Sequence, residues 1–136
     1  MSSRKVEDLD PRFATLARTF LDALKADGMD VLVTCTLRSL DEQTALYAQG
    51  RTAPGRIVTN AKPGSSAHNY GLAMDCCPLV NGKLAYNTPE GDSVDDPIWQ
   101  RYGSIARTCG LEWAGDWKTM REAPHVQMPA WRSYIA

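Results

Sequence analysis

The chain has only two histidines in 136 residues, His68 and His125. His68 lies in the stretch SSAHNYGLAMD, residues 65–75, which closes on Asp75. A catalytic zinc takes three protein ligands, commonly imidazole nitrogen and carboxylate oxygen, and keeps a fourth position open for water. His68, Asp75 and His125 supply that number and those types. A zinc hydrolase also needs a carboxylate beside the reacting water, to take its proton and later deliver it. The stretch REAPHVQM offers Glu122 three residues before His125, with Pro124 turning the chain between them. Arg38, in TLRSLDEQ, is a cation at a strand-to-helix turn, suited to stabilising the oxyanion of a tetrahedral intermediate.

Plainer readings exist for each residue. A loop histidine taken alone is commonly a solvated polar group, and two histidines far apart carry little information by spacing. Asp75 is harder to dismiss: between Met74 and Cys76 in an apolar stretch it needs a partner, because an unpaired buried charge is costly. Arg38 would serve as that partner in a simple salt bridge. Chemistry and spacing alone leave a metal site and a salt bridge both open. Cys35, Cys76, Cys77 and Cys109 show no CxxC spacing and read as reduced, mostly buried small hydrophobes. Adjacent Cys76 and Cys77 on a strand would face opposite ways and could not grip one ion together.

The elements that must position these groups are well signalled. DPRFATLARTFLDALKADG is a helix, capped by Asp10, opened by Pro11 and stopped at Gly28, with Phe13, Leu16, Ala17, Phe20, Leu21 and Leu24 on one apolar face. VLVTCT, residues 31–36, reads as a short buried strand. SLDEQTALYAQG is a second helix, with Ser39 and Glu42 in capping-box spacing and Gly50 as its stop. Residues 50–70 form a long loop rich in Gly, Pro, Ser and Asn, and loops of that length in a small domain are usually functional or disordered. GLAMDCCPLV and KLAYN flank Asn81-Gly82, the favoured pair for a tight hairpin turn. PIWQRYGSIARTCG is a third helix, starting at Asp96-Pro97, with Ile98, Tyr102, Ile105, Ala106 and Cys109 on one face. LEWAGDW and HVQM are short strands either side of a loop. Separate helices with antiparallel strands make an α+β fold.

Length fits a single domain over residues 1–136. A net charge of −1 gives no electrostatic drive toward nucleic acid. No apolar run reaches the roughly 20 residues of a membrane span, so no membrane insertion is expected. The opening stretch MSSRKVEDLDPRF lacks the apolar region of a signal peptide, so synthesis as a soluble cytoplasmic protein is expected. The acidic stretch EGDSVDD lacks EF-hand spacing and reads as a solvated loop.

SSAHNYGLAMD matches S-x-H-x-x-G-x-A-x-D, which resembles the signature of the superfamily of zinc D,D-peptidases and L-alanyl-D-glutamate peptidases. That superfamily also contains the hedgehog signalling domain. The long stretch from Leu37 to Asp75 resembles its endolysin branch almost continuously, as does GLEWAGDW with EAPHVQM, so the likeness covers most of residues 9–128. It implies a small antiparallel sheet with flanking helices. It further implies His68, Asp75 and His125 as zinc ligands, Glu122 as catalytic base where many relatives place Asp, and Arg38 near substrate or oxyanion. Ser66 matches the serine that opens the motif and orders the loop or touches substrate. Leu37 stands where relatives often have Tyr, and Ala114 where Gly is common. Of the four tryptophans, Trp117 is the best candidate for a substrate-contacting cleft wall. Arg51, Arg56 and Lys62 are either loop charges or grips for substrate carboxylates.

The expectation is therefore a monomeric, single-domain zinc endopeptidase that cuts the L-Ala–D-Glu bond of the peptidoglycan stem peptide. It would act as a phage or prophage endolysin, held in the host cytoplasm until lysis and lacking a separate wall-binding domain. Two rivals remain. One is a D-Ala-D-Ala carboxypeptidase or dipeptidase on the same scaffold, and the other is a non-catalytic wall-binding module that keeps zinc for folding.

Overall fold

The computed structural model describes residues 2–135. Three α-helices and five strands follow in the order α1 (Pro11–Ala26), β1 (Val31–Cys35), α2 (Leu40–Ala48), β2 (Ala73–Val80), β3 (Lys83–Leu84), α3 (Pro97–Thr108), β4 (Glu112–Trp113) and β5 (His125–Gln127). The main sheet runs β1-β2-β5-β4, with β3 paired to the far end of β2, and every pairing is antiparallel. No helix among the described residues is long and apolar enough to cross a membrane.

The α1 boundaries follow their signals: Asp10 accepts from the Arg12 N–H at 2.9 Å, Pro11 opens the first turn, and Phe13, Ala17, Phe20 and Leu24 are fully buried. In α2, Ser39 accepts from the Glu42 N–H, but the Glu42 carboxylate takes the Ser2 hydroxyl instead of closing the box. Asn81 and Gly82 have φ of 51° and 79°, the left-handed pair that a tight hairpin turn requires. Strand β1 differs from expectation. It is the sheet edge and only half-buried, with Leu32 41% exposed, because an edge strand has a strand neighbour on one side alone.

Alternation along the strands sorts the side chains into two faces. Met74, Val126 and Trp113 stand in one cross-strand row and belong to the core built with α1 and α3. There Phe20 meets Tyr102 edge-on at 5.1 Å, and Trp99 meets Tyr102 at 5.2 Å. Trp99, rather than Ile98, leads the buried face of α3, since its indole N–H reaches the Gly91 carbonyl at 2.7 Å. The neighbouring rows of the sheet carry polar side chains, described below.

Trp113 is clasped between two glycines. A Cβ on Gly103 or on Gly115 would fall 2.1 Å from its ring atoms. The indole N–H then donates to the Ala123 carbonyl at 2.7 Å, just upstream of Pro124. Gly103→Ala forces α3 away from β4 and is expected to cost about 1–3 kcal/mol by overpacking, measurable by urea unfolding; wild-type stability would show that the ring has room to move.

Candidate metal centre

Cross-strand register builds the centre. Asp75 of β2 stands directly opposite His125 of β5 and Cys35 of β1, on the face away from the helical core. His68 arrives from the loop before β2, in a 3-10 turn over Ala67–Tyr70. Ser66 caps that turn by accepting from the His68 N–H, and the Asn69 side-chain oxygen accepts from the backbone N–H of Gly64 and Ser66. Gly71 closes it with φ 69°, where a Cβ would lie 2.7 Å from the Asp10 nitrogen. The long loop is thus tied down at its end, and its histidine is directed back over the sheet.

Three donor atoms converge. His68 Nε2 and His125 Nδ1 each lie 3.1 Å from Asp75 Oδ1, and the two nitrogens are 3.2 Å apart. The outer nitrogens fix which ring atom carries hydrogen. His68 Nδ1 lies 2.8 Å from the Thr36 carbonyl, which only accepts, so that nitrogen must donate. His125 Nε2 lies 2.8 Å from Gln127 Oε1, and the Gln127 amide nitrogen donates to Glu112 Oε2 at 2.9 Å, so this nitrogen donates too. In their neutral forms both rings therefore turn lone pairs inward, toward a carboxylate oxygen. Such a triangle needs positive charge at its middle. One proton can lie along only one edge, whereas a cation satisfies all three corners.

The spacing suits zinc. Ligands about 2.0–2.1 Å from zinc stand roughly 3.3 Å apart at tetrahedral corners, close to the observed edges. Outer-shell bonds from ligating histidines to a carbonyl and an amide oxygen are the usual support for such a site. Electrostatics agree: burial pushes His68 toward neutrality, yet Asp75, with help from Cys35, holds it up at about 10. Burial would raise Asp75, and the two imidazoles hold it far below its ordinary value.

Cys35 also approaches, its Sγ 3.6 Å from His68 Nδ1. Its donor atom falls within 4.8 Å of those of His68 and Asp75, making a second possible metal group. The sulfur, however, sits beside the outer nitrogen already committed to Thr36, behind the ring rather than inside the triangle. The His68–Asp75–His125 set is the better cation site for that reason. Cys76 and Cys77 are fully buried on β2, and burial raises both thiols, so neither is a ligand or nucleophile in this arrangement.

A cleft of about 620 Å³ opens over the triangle and is lined by His68 and His125 together with Arg38, Glu122, Trp117, Ser66 and Trp131. Glu122 lines the cleft with part of its surface open to solvent, and desolvation by the surrounding walls raises its pKa despite the attraction of His125. Arg38 makes no salt bridge with Asp75. Its Nη1 donates to Gln43 Oε1 at 3.1 Å, and its Nε is buried without a partner. Gln43 is itself fully buried and anchored to the Ala61 carbonyl at 2.8 Å, so α2 and the long loop together aim Arg38. Trp117 stands 5.5 Å from the His125 ring as one wall. Arg51 is bonded to the Tyr47 carbonyl at the end of α2 and to Thr59 and Asn60 of its own loop, and lies outside the cleft lining, as do Arg56 and Lys62.

Sequence reasoning missed Thr36, Gln43, Glu112 and Gln127. Gln127 was within reach, since it lies two residues beyond His125 on a strand and so shares its face. Thr36 acts through its carbonyl and leaves no mark in the residue type.

An open cleft over converging cation donors, with an unliganded carboxylate at its rim, is the arrangement of a metal-dependent hydrolase. The chain belongs to the VanY family, D-alanyl-D-alanine carboxypeptidase, whose family model matches residues 6–124, and so to a metallopeptidase class. It is 43% identical over 113 residues to the peptidoglycan L-alanyl-D-glutamate endopeptidase CwlK of Bacillus subtilis, covering 79% of this chain and 68% of that protein. It is 28% identical to the L-alanyl-D-glutamate peptidase of Listeria phage A118, over 93% of this chain but only 40% of the phage protein. Among solved structures, the Serratia marcescens L-Ala D-Glu endopeptidase ChiX superposes with a TM-score of 0.67 at 21% identity, over 100% of this chain and 93% of its own. The vancomycin-resistance D,D-pentapeptidase VanY, solved with Zn(II), superposes at 0.58 and 21% identity, over 88% of this chain and 72% of its own. These likenesses bear out the expected α+β peptidase fold.

Proposed function

We propose that this chain is a zinc-dependent peptidoglycan endopeptidase that hydrolyses the L-alanyl-D-glutamate bond of the stem peptide. The observation that carries the zinc reading is the triangle of inward lone pairs on His68, Asp75 and His125. The bond specificity is supported by the names of the two curated relatives. A zinc ion held by these three residues would supply Lewis acidity for the scissile carbonyl and a more acidic water.

The protein's own groups do the rest. Glu122 takes the proton of the attacking water and delivers it to the leaving amine, a role its raised pKa suits by making the carboxylate a stronger base. Arg38, held by Gln43, brings guanidinium charge to the developing oxyanion. Trp117 and Trp131 flank the cleft and position the peptide. No covalent intermediate is required. The likeness to a phage peptidase supports a role as a phage or prophage endolysin, retained in the host cytoplasm until lysis.

Purified peptidoglycan digested with and without a zinc chelator, then analysed by mass spectrometry, tests the proposal. The expected result is chelator-sensitive release of stem peptides that begin at D-Glu. Loss of terminal D-Ala instead would assign the carboxypeptidase reaction, and the absence of any new ends would leave a binding module.

A further inference from the structure

Gln127 can present either end of its amide to His125, and the two choices have opposite consequences. With Oε1 facing the ring, as found, His125 keeps hydrogen on Nε2 and turns a bare Nδ1 toward the triangle. With the amide nitrogen facing the ring, Nε2 must accept, the hydrogen moves to Nδ1, and one corner of the triangle becomes a donor. Something must hold the amide in its found orientation, and most of its surroundings are protein: Gln127 is 7% and His125 5% exposed.

Glu112 is that group. It stands directly opposite Gln127 in the β4–β5 pairing, and its Oε2 accepts from Gln127 Nε2 at 2.9 Å. A carboxylate is acceptor-only, so it bonds the amide nitrogen and rejects the amide oxygen. The same oxygen accepts from the Trp117 indole N–H at 2.9 Å, which fixes the carboxylate from a second side. We infer that Glu112 is a positioning residue: acting through Gln127, its carboxylate sets the His125 tautomer that leaves Nδ1 free for the metal, and ties Trp117 of the cleft wall to the same point. The inference rests on the metal reading of the triangle.

Two variants test it. In Glu112→Gln the residue opposite Gln127 can donate as well as accept, so the amide loses its fixed sense. In Glu112→Gln with Gln127→Glu the polarity is rebuilt: a carboxylate at 127 accepts directly from His125 Nε2, and the amide at 112 donates to it. Two readouts are taken on each protein, the His125 tautomer by nitrogen-15 NMR of the metal-free form and zinc affinity by competition with a chromophoric chelator. The single variant is expected to show mixed tautomers and a loss of about 10–100-fold in zinc affinity, the usual effect of removing an outer-shell partner. The double variant is expected to recover the Nε2–H tautomer and to bind within a few-fold of wild type. A merely structural role for Glu112 would leave the tautomer unchanged in both. The inference is overturned if Glu112→Gln keeps tautomer and affinity, or if the double variant, which tests the relay even should the single fail to fold, is not restored. If wild type binds no zinc, the metal reading fails by itself, and the tautomer measurement still decides the relay.

Discussion

Glu122→Gln is expected to leave zinc binding intact while lowering kcat on a stem-peptide substrate by about a hundred- to ten-thousand-fold, the span of a lost general acid–base group. The substitution keeps size and polarity but removes the ability to carry a proton. Glu122 makes no side-chain hydrogen bond among the described residues and stands in the cleft wall rather than in the donor triangle, so its substitution removes no metal ligand and no contact that holds the fold. The decisive comparison pairs single-turnover kinetics with zinc content of the same preparation. A variant that keeps its zinc and its full rate would remove Glu122 from the chemistry and pass the role of base to another group. Loss of zinc and rate together would instead make it a ligand.

The second large effect is expected at Asp75. Asp75→Asn should weaken zinc binding by more than the roughly 100-fold that outer-shell changes reach, and abolish hydrolysis with it. Oδ1 is the corner shared by both imidazoles, and its charge is what a dication sees from a site with two neutral rings. The amide that replaces it can still fill the space, so the sheet should persist; circular dichroism and titration of zinc into the variant separate loss of metal from loss of fold. Tight zinc binding by Asp75→Asn would place the ion elsewhere, with Cys35 and His68 the first residues to test.

Much of this was legible from residue types. Asp10 with Pro11, Asn81 with Gly82, and the apolar stripe from Phe13 to Leu24 each act through local geometry, and local geometry is what sequence spacing records. The three donors were legible as a set because histidine is scarce here and a carboxylate in an apolar strand demands a partner. The choice between that set and an Arg38–Asp75 salt bridge was not, since both satisfy the same charge rule and only the tertiary structure shows Arg38 turned to Gln43. Edge strand β1 read as buried because its residues are apolar, whereas burial depends on whether another element covers it. Gln127 shares the face of His125 by simple strand alternation, whereas Glu112 acquires meaning only from a cross-strand register, which no spacing along the chain encodes.

The Asp75–His125 pairing also bears on the order in which the protein assembles. His68 and Asp75 are near neighbours in sequence and can meet within one short segment, but His125 reaches Asp75 only when the chain closes across a separation of 50 positions. Contacts of such separation carry a loop-closure cost that local ones avoid. A metal ion offered to the unfolded chain finds at most a weak two-point chelate, while the completed sheet presents three points at once. Zinc should therefore favour the closed sheet over its opened states, stabilising the longest-range strand pairing of the sheet more as its free concentration rises.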